Sequence, residues 1–389
     1  MSRVAKIETY TLTLPRDGET LYLGDQKSGE SENARGYFVR KGNRTVYPTV
    51  DRSILLRLET TDGIVAWGET YGLVAPRATM ALIDDFLADF VIGRDPFDAA
   101  VIHEDLYNMM RVRGYNGGFY LDALAAIDIA LWDAAGKVAG LPVAKLLGGR
   151  RHDEVSGYVS GLPGATLEER AGLAKSWQEK GFNRFKFAAP QADEDLGQEM
   201  DSLRTTLGKD AKIACDMHWT NSSAEAIAKI KSMEPYGLWF AEAPVDPEDV
   251  KGLARVAAGV GCPIGVGEEW RTVYDAQLRI DAQGVDIVQP EMGHTGITQF
   301  MRIGQAAQSR NLKILPHATI GSGVFLAASL QASSALENVV GHEFQHTVLK
   351  RSSSLVTNGV VCEEGMFRIS DTPGIGLEPT EETISKLEK

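Results

Sequence analysis

Residues 212–242 read KIACDMHWTNSSAEAIAKIKSMEPYGLWFAE. A short apolar run stops at Asp216, an amphipathic segment (AEAIAKIKSM) follows, and a second apolar run stops at Glu242. The short runs predict buried strands, while the segment between them repeats its apolar positions at helical spacing. Strand, helix and strand in that order form a βα unit whose strands lie parallel.

The same unit recurs along the chain. From about residue 154, the runs EVSGYVS, FNRFKFA, KIACD, LWFAE, PIGVGE, VDIVQPE, LKILPH and NVVGHE alternate with helical segments. Eight such runs predict an α/β fold, a closed TIM-type (β/α)8 barrel. Lys186, Asp216, Glu242, Glu268, Glu291, His317 and Glu343 each sit at or just past the C-terminal end of a run. From Asp216 onward they are 26, 26, 23, 26 and 26 residues apart. Each step therefore returns the chain to one rim, where barrel enzymes build their active sites. Any single carboxylate at a strand-to-helix junction could simply cap the next helix. Seven ionisable groups in phase point instead to a shared cavity. Asp216, Glu242 and Glu268, on successive strands, would repel one another at close range, and a divalent cation is the natural relief. An all-oxygen donor set suits Mg²⁺, with Mn²⁺ as the alternative, rather than zinc.

The part ahead of the barrel reads as α+β. SILLRLETTDGIVAWGE (53–69) is two apolar runs around a Thr-Asp-Gly turn, which predicts a hairpin. Residues 16–50 form a long polar stretch carrying Tyr22, Tyr37, Phe38, Arg40 and Arg44, a composition that suggests a binding lid. Helical periodicity over about 78–110 gives way to the glycine-rich RVRGYNGGF (111–119), which contains Tyr115. A strong helix, YLDALAAIDIALWDAAGKVAGLP (120–142), then closes at Gly140 and Pro142.

The chain has 389 residues, 43% hydrophobic and 24% charged, as in ordinary soluble enzymes. Its net charge of -13 argues against binding nucleic acid or an anionic membrane through bulk electrostatics, so an anionic ligand must be held by a local cation. No apolar signal core opens the sequence and no stretch is apolar enough to span a bilayer. Cys215, Cys262 and Cys362 are odd in number and lack metal-ligand spacing, which fits reduced thiols in a cytoplasmic protein.

The order Asp216, Glu242, Glu268, with His317 in ILPH, resembles the enolase superfamily in its mandelate racemase/muconate lactonizing enzyme branch. AIDIALWDAAGKVAGLPVAKLLGG (126–149) is similar to that branch's helix leading into the barrel, and TPGIGLE (372–378) to its closing segment. The resemblance implies an α+β capping domain over a modified barrel. The expected boundaries are 1–124 for the cap, 125–360 for the barrel, and 361–389 for a segment returning to the cap. It also implies that Mg²⁺ holds a substrate carboxylate while a base removes the proton α to it.

Details favour dehydration within that family. Relatives often carry Lys-x-Lys on the second barrel strand, but here FKFA gives Lys186 and then Ala188. Asp-x-His at Asp216 and His218 resembles the galactonate dehydratase group, as does HEFQ (342–345), which sets Glu343 beside the substrate carboxylate. The resemblance makes His317 the general base, His218 the general acid that expels the 3-hydroxyl, and Lys186 electrostatic support. Glu291 stands where the family usually has Asp and would orient His317. Glu269, adjacent to Glu268, should point away by alternation. The expected activity is Mg²⁺-dependent dehydration of an aldonate or aldarate to a 2-keto-3-deoxy acid, with Tyr22, Tyr37, Arg40, Arg44 and Tyr115 contacting substrate. The alternatives are an epimerase or lactone cycloisomerase on the same scaffold, or a barrel that binds sugar acids without chemistry. A homo-oligomer is expected.

Overall fold

The computed structural model describes residues 2–14, 24–190, 195–318 and 321–389. Three antiparallel strands, Val4–Leu14, Asp51–Thr60 and Val65–Tyr71, form the cap sheet with Asp51–Thr60 in the middle. The hairpin expected over 53–69 is its second half, turning at Gly63 with φ +84°. Helix Gly118–Ala139 packs on the sheet, and helix Ala99–Arg111 packs on that helix. The longer helix is buried nearly all round, as its apolar sequence requires. It approaches the sheet closely because Gly68 has no side chain; a Cβ there would lie 1.9 Å from the Ala126 carbonyl. This helix runs unbroken through residues 124 and 125, so the expected cap boundary falls inside one rigid element.

The barrel strands are Glu154–Ser160, Arg184–Ala188, Lys212–Asp216, Leu238–Glu242, Ile264–Val266, Ile287–Val288, Lys313–Ile314 and His342–Gln345. Neighbours pair in parallel, and His342–Gln345 pairs back onto Glu154–Ser160 to close the ring. Alternation sends Tyr158, Ala214, Phe240, Ile287 and Leu315 inward as a packed floor. Lys186, Asp216 and Glu242 occupy inward positions nearer the C-terminal ends. The opposite faces of these strands, such as Phe185, Ile213 and Cys215, bury against the surrounding helices.

The segment from 361 makes two stops. Cys362–Glu363 and Met366–Arg368 form a hairpin whose second strand pairs antiparallel with the first barrel strand. Its end then reaches the cap, where Thr11 and Glu388 exchange backbone hydrogen bonds of 2.7 and 2.9 Å. A second tie joins cap and barrel: the buried Glu69 carboxylate of the cap sheet accepts from the Phe325 backbone N–H at 2.9 Å, at the start of helix Val324–Ala335. No helix among the described residues is long and apolar enough to cross a membrane.

Candidate active site

The helices after the barrel strands are capped by other residues. Thr166, Asp195, Ser222, Asp249 and Thr272 accept the first backbone N–H groups. Asp216, Glu242 and Glu268 are therefore spared that task. Glu291 does cap, through Oε1 to the Gly293 N–H at 3.0 Å, but its other oxygen faces the barrel axis.

At the rim, a cavity of about 520 Å³ is lined by Lys186, Asp216, Glu268, Glu291, His317 and Glu343. Glu242 lies just beneath, 1% exposed. Lys186 Nζ donates to Glu242 Oε1 and stands 3.3 Å from Glu343 Oε1. Gln289 Nε2 donates to the other Glu242 oxygen. His317 Nδ1 donates to Glu291 Oε2 at 2.8 Å, and its Nε2 lies 3.2 Å from Glu268 Oε2 and 3.5 Å from Glu343 Oε2. His218 Nε2 is 2.8 Å from Asp216 Oδ2, while the His218 backbone N–H donates to Asp216 Oδ1 at 3.0 Å. His218 and Trp219 follow one another with φ of +51° and +52°, a costly backbone for side-chain-bearing residues that turns both toward the cavity.

The electrostatics follow from crowding acids in a buried place. Burial, opposed by the His317 charge and reinforced by Glu242 and Asp216, pushes Glu268 up to about 8. Burial also raises Asp216, but His218 and Lys186 outweigh it and hold Asp216 at about 2. Burial disfavours the charged imidazole of His317, yet Glu268, Glu343 and Glu291 overcome this and keep it well above its ordinary value. His218 is raised in the same way by Asp216 and Glu268. Lys186 is held well above the usual lysine range because Glu242 and Glu343 outweigh its burial.

Three oxygen-donor carboxylates therefore stand on neighbouring strands, with Asp216 and Glu242 directly paired in register. Their mutual repulsion is felt at Glu268. Among the described residues, no three His, Cys, Asp or Glu side chains are already gathered as ligands of one ion. Each carboxylate instead faces a protein donor: His218 at Asp216, Lys186 and Gln289 at Glu242, and His317 at Glu268. The donor chemistry fits a hard divalent cation that would compete with those partners.

The residues expected to contact substrate are mostly elsewhere. Tyr22 lies outside the described residues. Arg40 is 4% exposed and works inside the lid, with Nε 3.1 Å from Glu30 and Nη2 donating to the Asp25 carbonyl at 2.6 Å. The Tyr37 hydroxyl accepts from the Ala75 N–H at 3.2 Å, Arg44 is exposed, and Tyr115 is 56% exposed; none of the three lines the cavity. The reason is that the lid folds on itself, pairing Tyr37–Val39 with Val46–Pro48, so that Asn43, Thr45 and Tyr47 are presented instead. From the glycine-rich break it is Phe119 that reaches the wall. Glu269 is absent from the lining, in keeping with alternation. Arg271, His294, Asp122 and Tyr71 line the cavity without having been singled out. The signal for the first two was available: each follows a rim carboxylate by three residues, much as His218 follows Asp216 by two.

Comparison with known proteins agrees with this architecture. Residues 169–383 match the family model for the enolase C-terminal domain-like region, and residues 44–148 match that for the mandelate racemase/muconate lactonizing enzyme N-terminal domain. A D-galactarolactone cycloisomerase of Agrobacterium fabrum is 30% identical over 349 residues, covering 86% of this chain and 90% of its own. A D-galactonate dehydratase of Ralstonia pickettii is 30% identical over 362 residues, covering 89% and 93%. A Sinorhizobium meliloti structure, provisionally described as an isomerase, is 62% identical with a TM-score of 0.98 over 100% of both chains. A Streptomyces coelicolor racemase with bound magnesium shares the fold at 21% identity and a TM-score of 0.84, covering 98% of this chain and 99% of its own. Matched in both domains, and aligned with these relatives over most of its length, the chain belongs to the enolase superfamily, in the mandelate racemase/muconate lactonizing enzyme family.

Proposed function

We propose that the protein is a Mg²⁺-dependent dehydratase of a sugar acid, forming a 2-keto-3-deoxy acid. The observation that carries this reading is a pair of imidazoles opening on one cavity, each held by its own carboxylate: His317 by Glu291 and His218 by Asp216. Relatives named D-galactonate dehydratase and D-galactarolactone cycloisomerase support sugar-acid chemistry in general.

Asp216, Glu242 and Glu268 would hold the cation. When bound, it would supply positive charge against the negative charge that develops on the substrate carboxylate as the α-proton leaves. Lys186 adds a second, fixed positive charge near Glu343. His317, oriented through Nδ1 by Glu291, takes the proton from C2 at Nε2, and the C–H electron pair passes into the carboxylate as an enediolate. As that pair returns, the C3–O bond breaks and His218 gives its proton to the departing hydroxyl, which leaves as water. The enol that remains tautomerises to the 2-keto acid.

The two imidazoles need opposite starting states. His218 must be charged, and Asp216 favours that form. His317 must be neutral, whereas the carboxylates around it favour the charged form. Glu268 carries the largest of those opposing charges, and its engagement at the cation site would let His317 release its proton.

Purified protein with Mg²⁺ should convert at least one member of an acid-sugar library to a 2-keto acid, detected with semicarbazide. A cycloisomerase or epimerase reading draws on the Agrobacterium fabrum relative. Solvent deuterium entering C2 without loss of water would favour it over dehydration.

A further inference from the structure

The cap side of the cavity holds a polar unit that the proposed reaction does not use. Asp122, on the cap helix Gly118–Ala139, is 4% exposed. It accepts from Arg271 Nε at 3.0 Å and Nη2 at 3.3 Å, and from His294 Nδ1 at 2.8 Å. Arg271 Nη1 also donates to the Glu269 carbonyl at 2.9 Å. The Tyr71 ring stacks on His294 with centroids 4.4 Å apart. Arg271 lies three residues beyond Glu268 in a loop, and His294 three beyond Glu291 in the first turn of helix Met292–Gln308. All three members line the same cavity as Lys186 and His317.

A substrate whose carboxylate lies by Lys186 extends its carbon chain away from the barrel floor, into the cavity that this unit lines. Its charge balance decides what it can accept. The Asp122 carboxylate cancels the Arg271 guanidinium. A second carboxylate would therefore meet a guanidinium that is already paired and would lie beside the Asp122 carboxylate. A hydroxyl faces no such cost. With Nδ1 on Asp122, the Nε2 of His294, a residue that lines the cavity, has no protein partner among the described residues and can bond a hydroxyl as donor or acceptor. Asn43 and Thr45 add further polar groups from the lid.

We propose that the Asp122–Arg271–His294 unit reads the far end of the substrate and selects a neutral, hydroxylated end over a second carboxylate. Monocarboxylic aldonates are then bound in preference to dicarboxylic aldarates. This rests on the sugar-acid reading given above.

The test uses the full-length, Mg²⁺-loaded protein and three pairs of acids that differ only at C6: galactonate and galactarate, gluconate and glucarate, mannonate and mannarate. Calorimetric affinities are compared within each pair. For every pair that binds, the aldonate is expected to be tighter by roughly tenfold or more, the worth of about one hydrogen bond or one unfavourable charge. Asp122→Asn leaves Arg271 uncompensated and should move the ratio toward the aldarate by about tenfold. His294→Phe keeps the stack on Tyr71 but loses Nε2, so it should weaken the aldonate and spare the aldarate. Structural damage would lower both members of a pair together and leave their ratio alone. A wild-type preference for the aldarate overturns this inference by itself, as does an unmoved ratio in His294→Phe, which decides the matter even if Asp122→Asn does not fold. If no acid in any pair binds, the sugar-acid reading falls, and this inference with it.

Discussion

Replacing Glu291 with glutamine removes one charge and almost no volume, so its effect can be worked from two contacts. Oε2 accepts from His317 Nδ1 at 2.8 Å and Oε1 accepts from the Gly293 N–H at 3.0 Å. A glutamine has a single oxygen for the two donors. If that oxygen stays on Gly293, the amide N–H₂ faces His317 Nδ1 and forces the ring proton onto Nε2, the atom that must receive the substrate proton. If the oxygen turns to His317, a neutral bond replaces a charge-assisted one and Gly293 loses its cap. The second case costs about 1.5–3 kcal/mol, or roughly 10- to 150-fold in rate. The first approaches the ~10⁴-fold loss known when a histidine base is left in the wrong tautomer. Glu291→Gln should therefore lower kcat for 2-keto acid formation by at least about tenfold, with Mg²⁺ affinity and melting temperature little changed. Glu291→Asp, which keeps the charge, should retain much more activity. Wild-type kcat in Glu291→Gln would refute the assignment of His317 as the base.

Four other outcomes are expected. His317→Asn should abolish both dehydration and exchange of the C2 proton in D₂O. His218→Asn should slow loss of the hydroxyl far more than that exchange, and equal losses in both would remove its separate role. Because the folded-state values of His317, His218 and Glu268 are all raised, they favour the metal-free fold at low pH and lose that contribution as pH rises through those values. The gain in melting temperature from Mg²⁺ should thus grow between about pH 6 and about pH 9; a constant gain would contradict the competition between protons and cation. Away from the site, burial pushes Asp128 up to about 7 despite its bonds to Thr298, so the fold loses about 4 kcal/mol as pH rises from about 4 to about 7. Asp128→Asn should flatten that decline between about pH 4 and about pH 7, and a parallel decline in the variant would refute that cause.

The barrel was legible because its physics is local and periodic. KIACD and LWFAE are strands over the residues expected, since each is a compact apolar run ended by a carboxylate. The later strands are shorter than their runs, two or three residues each, because Gly267, Pro290 and Pro316 interrupt the ladders. The rim groups were legible for the same reason: a period near 26 maps sequence directly onto one side of the barrel. The lid was not. Aromatic and cationic content suggested Tyr37, Arg40 and Arg44, but a loop's register depends on its internal pairing, which turned Arg40 onto Glu30 and brought Tyr47 to the wall. The Asp122–Arg271 contact spans 149 residues and joins a cap helix to a barrel loop, so no local pattern announces it. On the cap side the sequence shows only that Asp122 is one of three aspartates, with Asp128 and Asp133, in a largely apolar helix.

The proposed chemistry requires three carboxylates from neighbouring strands to share one ion. A crystal grown with Mn²⁺, read by anomalous scattering, tests this directly. A single peak about 2.0–2.4 Å from an oxygen of each of Asp216, Glu242 and Glu268, with Lys186 and His317 turned off those oxygens, is the predicted result. No peak at saturating Mn²⁺, or one that leaves any of the three carboxylates uncoordinated, would contradict it.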